Sequence, residues 1–155
     1  MDAVINASPL ILLSKIGRLY LLNKIFDKVY IPDAVLKEIH AVDKEQVKLS
    51  DISFDVLEVG NRVAVIGLLG RLHIGEAEVI VGAAEKGIRT VAVLDESSAR
   101  NKAKQLRLEI TGTVGILMKA EKLGLLVDIE TEIKNLKDAG MRISDELVAK
   151  ILKEP

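Results

Sequence analysis

Short β-rich apolar runs alternate with helical patterns along this chain, and that alternation constrains the fold more than any single motif. The runs are "AVIN" (3–6), "KVYI" (28–31), "TVAVL" (90–94) and "LEIT" (108–111), with "FDVLEV" (54–59) as a candidate edge strand. Helical patterns fall at 9–15, 18–26, 33–42, 61–71, 76–86, 97–106, 113–123, 129–140 and 143–154. Strands separated by helices mark βαβ units around a parallel sheet. The expectation is therefore an α/β fold, a three-layer α/β/α sandwich with a central, mainly parallel sheet. Boundary signals support it: Ser8-Pro9 as N-cap and first turn, Pro32-Asp33 after a strand, and Gly87, Gly124 and Gly140 as helix stops.

At 155 residues, 49% of them hydrophobic, the chain can bury a core as a single domain over 1–155, with 129–155 as a C-terminal helical extension. Cysteine is absent, which removes disulfides, thiolate metal sites and a cysteine nucleophile. No apolar span approaches the ~20 residues of a membrane helix. No basic segment followed by an apolar run opens the chain, so a soluble cytoplasmic protein without membrane contact is expected. The net charge of −1 exerts no general pull on nucleic acid, so any such contact must rest on a local basic patch. With no Trp, two Phe and two Tyr, an aromatic base-stacking platform is not expected.

Open parallel sheets carry functional residues beyond the carboxyl ends of their strands. Those ends hold Asn6 after the first run, Asp95-Glu96 after 90–94, and "TGT" (111–113) at a helix start. In "HIGEAEVIVGAAEKG" (73–87), a helical step of ~100° groups Ala77, Val79, Ile80, Ala83 and Ala84 on one arc that includes Glu76. Glu78 and Glu85 fall on the opposite side. Glu76 then reads either as a first-turn acid favoured by the helix dipole or as a site carboxylate. In "PDAVLKEIHAV" (32–42), Glu38 borders the inward stripe of Val35, Ile39 and Val42; it is a flanking solvated residue or a second site acid. Asp33 is explained by capping. Asp95, after a wholly apolar strand, occupies a standard site position.

Three acids from separate elements directed into one crevice repel one another unless a divalent cation lies between them. Carboxylate and amide oxygens without cysteine or paired histidine suit Mg²⁺ or Mn²⁺ rather than zinc. His40 and His73 lack ligand-like spacing and read as surface or helix-edge residues. Arg100, Lys102 and Lys104, in the helix after Asp95, are weak candidates for phosphate contact, since a solvated helix face explains them more simply.

The chain resembles a PIN domain, the fold of metal-dependent nucleases that includes VapC-type toxins. The resemblance runs to about residue 127 through "VINASPLILLSKIGRLYLLNKIF", "VYIPDAVLKEI", "IGEAEVIVGAAEKG" and "VAVLDESSAR". The closing "TGTVGILMKAEKLGLL" and "AGMRISDELVAKIL" resemble a subgroup described as predicted nucleic-acid-binding PIN proteins. It implies an acidic quartet at Asn6, Glu38, Glu76 and Asp95, with Asn6 in place of the usual Asp, and Glu96 and Thr113 as accessory residues. It further implies phosphodiester hydrolysis of single-stranded or structured RNA with one or two Mg²⁺ or Mn²⁺ ions, a homodimer, and for toxin-type members a small antitoxin whose peptide fills the active-site groove. The apolar run "VAVIGLLG" (63–70) reads equally as a dimer interface or as core.

Two rival readings stand beside this one. The first is a catalytically weak or inactive PIN-fold module that binds nucleic acid. The second is a receiver-like phosphoacceptor domain with Asp95 as phosphorylated acid and Thr113 as hydroxyl partner, disfavoured because Asn6-Ala7 replaces the acid pair such domains use. "GLLGRLHIG" (67–75) matches neither a phosphate loop nor a dinucleotide fingerprint.

Overall fold

A computed structural model describes residues 1–42, 47–126 and 128–153. Strand β1 (Asp2–Ile5) leads into α1 (Ala7–Lys15) and the short α2 (Leu21–Ile25), followed by β2 (Val29–Pro32) and α3 (Asp33–Val42). Next come β3 (Asp55–Leu57), α4 (Arg62–Leu68), α5 (Ile74–Lys86), β4 (Thr90–Val93), α6 (Ser97–Gln105), β5 (Glu109–Thr111) and α7 (Thr113–Lys122). Helices α8 (Ile129–Asp138) and α9 (Asp145–Lys153) follow; residue 154 of the expected last helix lies outside the described residues.

The five strands form one sheet in the order β3-β2-β1-β4-β5, and every pairing is parallel. The run at 54–59 is the expected edge strand, β3, with Asp55 and Val56 exposed and Leu57 buried. All four residues of β4 are buried. Successive strand side chains point to opposite faces, so both faces of the sheet are covered, as in an α/β/α sandwich. The order also corrects the receiver-like alternative. That fold has strand order 2-1-3-4-5, whereas here β1 lies between β2 and β4. Among the described residues no helix is long and apolar enough to cross a membrane.

Helix α5 is the central buried element, packed against β1, β2, β4 and against α3, α4 and α6. The expected arc of Ala77, Val79, Ile80 and Ala83 is buried, but Ala84 is exposed and Glu78, expected on the opposite side, is 4% exposed. Burial on α5 is set by its neighbours on several sides rather than by one apolar stripe. Glu78 is accommodated because Arg62 Nη1 donates to it at 2.6 Å and the Ala34 N–H at 2.9 Å. It thus neutralises a cation and closes the start of α3.

The start of α1 also differs from expectation. Asn6 is the N-cap residue, the helix begins at Ala7, and Pro9 occupies the first turn, where a missing N–H costs nothing. Gly87, Gly124 and Gly140 end their helices at φ of 100°, 74° and 104°, conformations open to glycine without penalty.

Helix α8 is tied to the α1–α2 turn by an ion pair between the half-buried Arg18 and the buried Glu132. Arg18 Nε and Nη2 both donate to Glu132 Oε1, at 3.0 and 2.7 Å. The hydrogen bond to Glu132 holds the Arg18 guanidinium above its ordinary pKa. A raised folded-state pKa contributes stability below the unfolded value and loses it as pH rises through the folded value, so this term is in place at neutral pH.

Candidate active site

The strand order turns at β1 and β4, which lie side by side while the chain builds the sheet outward from each. The crevice above their carboxyl ends is the position where such sheets hold ligands. Ile5 is in register with Val93, and the Asn6 N–H donates to the Val93 carbonyl at 3.1 Å. Asn6 and Asp95 therefore stand on the two sides of this switch point.

Asn6 is extended (φ −79°, ψ 168°) and makes no side-chain cap. The residue is 7% exposed, and among the described residues Oδ1 is a buried acceptor without a hydrogen-bond partner. An unpaired buried acceptor is costly, which points to an external water or ion. Gly75, in the first turn of α5, leaves space beside it. A Cβ there would lie 3.1 Å from Glu38 Oε2 and 3.4 Å from Asn6 Oδ1. Two oxygens from different elements thus border one spot that only a glycine keeps open.

Asn6 and Glu38 also line a small pocket of about 140 Å³, with Ser8, His73, Glu76 and Glu96. Glu38 is exposed on α3, as its flanking position anticipated. Glu76 is 6% exposed and accepts the His73 N–H at 3.0 Å through Oε1. It serves the helix start and lines the pocket at once. His73 lies at the α5 N-cap and is exposed, whereas His40 is exposed on α3 away from this lining.

Asp95 is held differently. Its Oδ1 accepts the Thr113 N–H at 2.8 Å; its Oδ2 accepts the Thr113 hydroxyl at 2.7 Å and the Ser8 hydroxyl at 3.3 Å. Thr113 is fully buried at the first position of α7, so the carboxylate also closes that helix start. A carboxylate has about four acceptor positions, and three here are taken. Asp95 lines two wider clefts rather than the small pocket, and Ser8 joins the two compartments because it lines the pocket and bonds Asp95.

The structure therefore brings Asn6, Glu38, Glu76 and Glu96 round one pocket and sets Asp95 and Thr113 beside it. The three basic candidates part company. Arg100 Nη1 donates to the Leu94 carbonyl at 2.9 Å, and Lys104 joins it along the cleft beside Asp95. Lys102 turns instead toward Leu68 and Leu72. Gly112 is required by this packing, since a Cβ there would lie 2.7 Å from Asp95 Oδ1 and 3.0 Å from Arg100 Nη1. Gly112→Ala should destabilise the fold by about 1–3 kcal/mol through overpacking, measured by thermal unfolding; an unchanged melting temperature would show that Asp95 is not fixed in place.

Among the described residues, no three histidine, aspartate or glutamate side chains form a group that could hold a metal ion by themselves. The all-oxygen set of Asn6, Glu38 and Glu76 nonetheless fits an ion that keeps much of its water. Mg²⁺ is commonly held by one or two carboxylates and its own water shell, and the unpartnered Asn6 oxygen beside the Gly75 gap is the observation that favours it. Sequence reasoning missed Gly75 as the spacer and Ser8 as the link to Asp95. "HIG" carries no mark of the first, and Ser8 looked like a helix cap.

A family model described as a PIN domain matches residues 2–155. No curated protein matches the chain, and no solved structure matches it.

Proposed function

This chain belongs to the PIN-domain family, whose fold is of nuclease type, and we propose that it is a divalent-metal-dependent ribonuclease. The observation that carries the proposal is the orphaned Asn6 Oδ1 at the strand switch point, facing the gap at Gly75 beside Glu38. Glu38, Glu76 and Asn6 would hold the ion, Mg²⁺ or Mn²⁺, with Asp95 adding its remaining acceptor position from the adjoining cleft. When bound, such an ion lowers the pKa of a water and neutralises charge developing on a phosphodiester. Ser8 and Thr113 fix the Asp95 carboxylate, which removes the need to order it when substrate arrives. Glu96 is an accessory acceptor on the pocket rim. The direct test is incubation of a mixed RNA pool with Mg²⁺ and with Mn²⁺, against EDTA. Cleavage in both metals, absent in chelator, is expected; absence of cleavage in all three would reject the enzyme.

An amide in place of a carboxylate removes one negative charge from the ion's surroundings. Asn6→Asp should therefore bind Mn²⁺ more tightly than wild type in calorimetric titration, and equal affinities would exclude Asn6 from the ion's environment. The same amide favours a second reading, a PIN-fold nucleic-acid-binding module of weak or no activity, and the RNA-pool assay separates the two.

The narrower form of the proposal is the toxin of a toxin–antitoxin pair, with a small antitoxin as partner. Growth arrest on expression, relieved by Asp95→Asn, would support it, and unimpaired growth would count against it. A cytoplasmic homodimer completes the proposal. Within 63–70, Val65 is buried as core, while Val63 and Ile66 are 82% and 65% exposed and offer the apolar face. A monomeric sedimentation profile would exclude that contact.

A further inference from the structure

We infer that the C-terminal helices complete the substrate groove, and that Arg142, in the loop between α8 and α9, binds the phosphodiester backbone of single-stranded RNA beside Asp95. The inference rests on the ribonuclease reading for the identity of the polyanion.

The cleft of about 1190 Å³ next to Asp95 has Arg100 and Lys104 from α6 on one wall, with Lys137 and Arg142 from the α8–α9 hairpin on the other. Asp95 is the single acid in the lining of that cleft among the described residues. Four of the five charged residues in that lining are basic. A second cleft, of about 420 Å³, also contains Asp95 and Arg142, together with Ser8 and Glu96. Ser8 and Glu96 in turn line the small acidic pocket. The three spaces adjoin through shared residues, and Arg142 is the cation common to the two wider clefts.

The state of Arg142 fits an external anion. It is exposed, and among the described residues no hydrogen bond or ion pair engages it. The Asp95 oxygens accept from neutral donors on Thr113 and Ser8, and no ion pair joins that carboxylate to Arg142 among the described residues. Lys137 is only loosely paired, 3.8 Å from the fully exposed Asp145. Arg is the side chain whose planar fork matches phosphate geometry. Cations on both walls of a track that ends at the acids suit a chain with one negative charge per residue. The aliphatic lining of Ile110, Met118 and Leu147 provides no aromatic stacking surface, so binding should be governed by salt rather than by base identity.

The test is fluorescence anisotropy with labelled oligouridine in EDTA, where cleavage cannot interfere, over a series of salt concentrations. Arg142→Gln should weaken binding about tenfold and reduce the logarithmic salt slope by about 0.7, the loss of one phosphate contact on a single strand. Lys28→Gln, just before β2 and so at the end of the sheet opposite the strands' carboxyl ends, should change neither. Identical affinity and slope for Arg142→Gln and wild type would overturn the inference, as would failure of wild type to bind. Displacement of the RNA by polyglutamate at equal charge concentration would also overturn it, by assigning the cleft to an acidic protein. The outcome is separable from that of the ribonuclease reading. RNA bound through Arg142 without metal-dependent cleavage removes only the enzyme, whereas cleavage with binding and KM indifferent to Arg142→Gln removes only this inference.

Discussion

Asp95→Asn is expected to lower metal-dependent RNA cleavage by on the order of 10²–10³-fold, the usual effect of removing one preorganised electrostatic group, while leaving the fold largely intact. The asparagine oxygen can still accept the Thr113 N–H in place of Oδ1. Its amide replaces Oδ2, and the Thr113 and Ser8 hydroxyls can rotate to accept rather than donate. The structural loss is then confined to charge-assisted bonding at the α7 start, about 1 kcal/mol. That corresponds to roughly 2–4 °C in melting temperature for a chain of this length. Cleavage rate and thermal midpoint must be measured on the same preparations. A large fall in the midpoint with a proportionate fall in activity would make Asp95 a helix-closing residue only. Full activity would remove it from the site.

Arg18→Met is expected to cost about 3 kcal/mol, or roughly 6–12 °C in melting temperature. Glu132 is nearly fully buried, its Oε1 receives both Arg18 bonds, and its Oε2 is buried without a partner among the described residues. Removing the guanidinium leaves a buried carboxylate with no compensating charge, the case in which breaking an ion pair is most damaging. Arg18→Met combined with Glu132→Leu should recover most of the loss, because an apolar pair of similar volume carries no desolvation penalty. Calorimetric unfolding of both variants decides the matter. A single variant as stable as wild type would mean that Glu132 finds water, and that α8 is held to the chain start by apolar contacts such as Ile133 and Leu136.

The gap between sequence and structure is clearest at particular residues. Glu38, Glu76 and Asp95 could be selected from helix faces and strand ends, because those arguments depend only on local periodicity and on the general behaviour of parallel sheets. Their division into a pocket and an adjoining cleft could not. It depends on Thr113 and Ser8, residues 18 and 87 positions from Asp95, arriving to fill its acceptor positions. Glu78 shows the same limit from the other side. Its place opposite the apolar arc suggested solvent, but Arg62 and the α3 N-terminus bury and satisfy it. Arg142 carried no local signal, being one basic residue among 22.

The succession of strands and helices, the absence of cysteine chemistry, and the acids that could face a crevice were all readable before any coordinates, since each follows from periodicity, composition or strand-end position. The tertiary structure alone decided the strand order, the unpartnered oxygen of Asn6 beside Gly75, the capture of Asp95 by Thr113, and the position of Arg142 across the cleft. Those are properties of distance between residues far apart in the chain, and no local pattern encodes a distance that only packing sets.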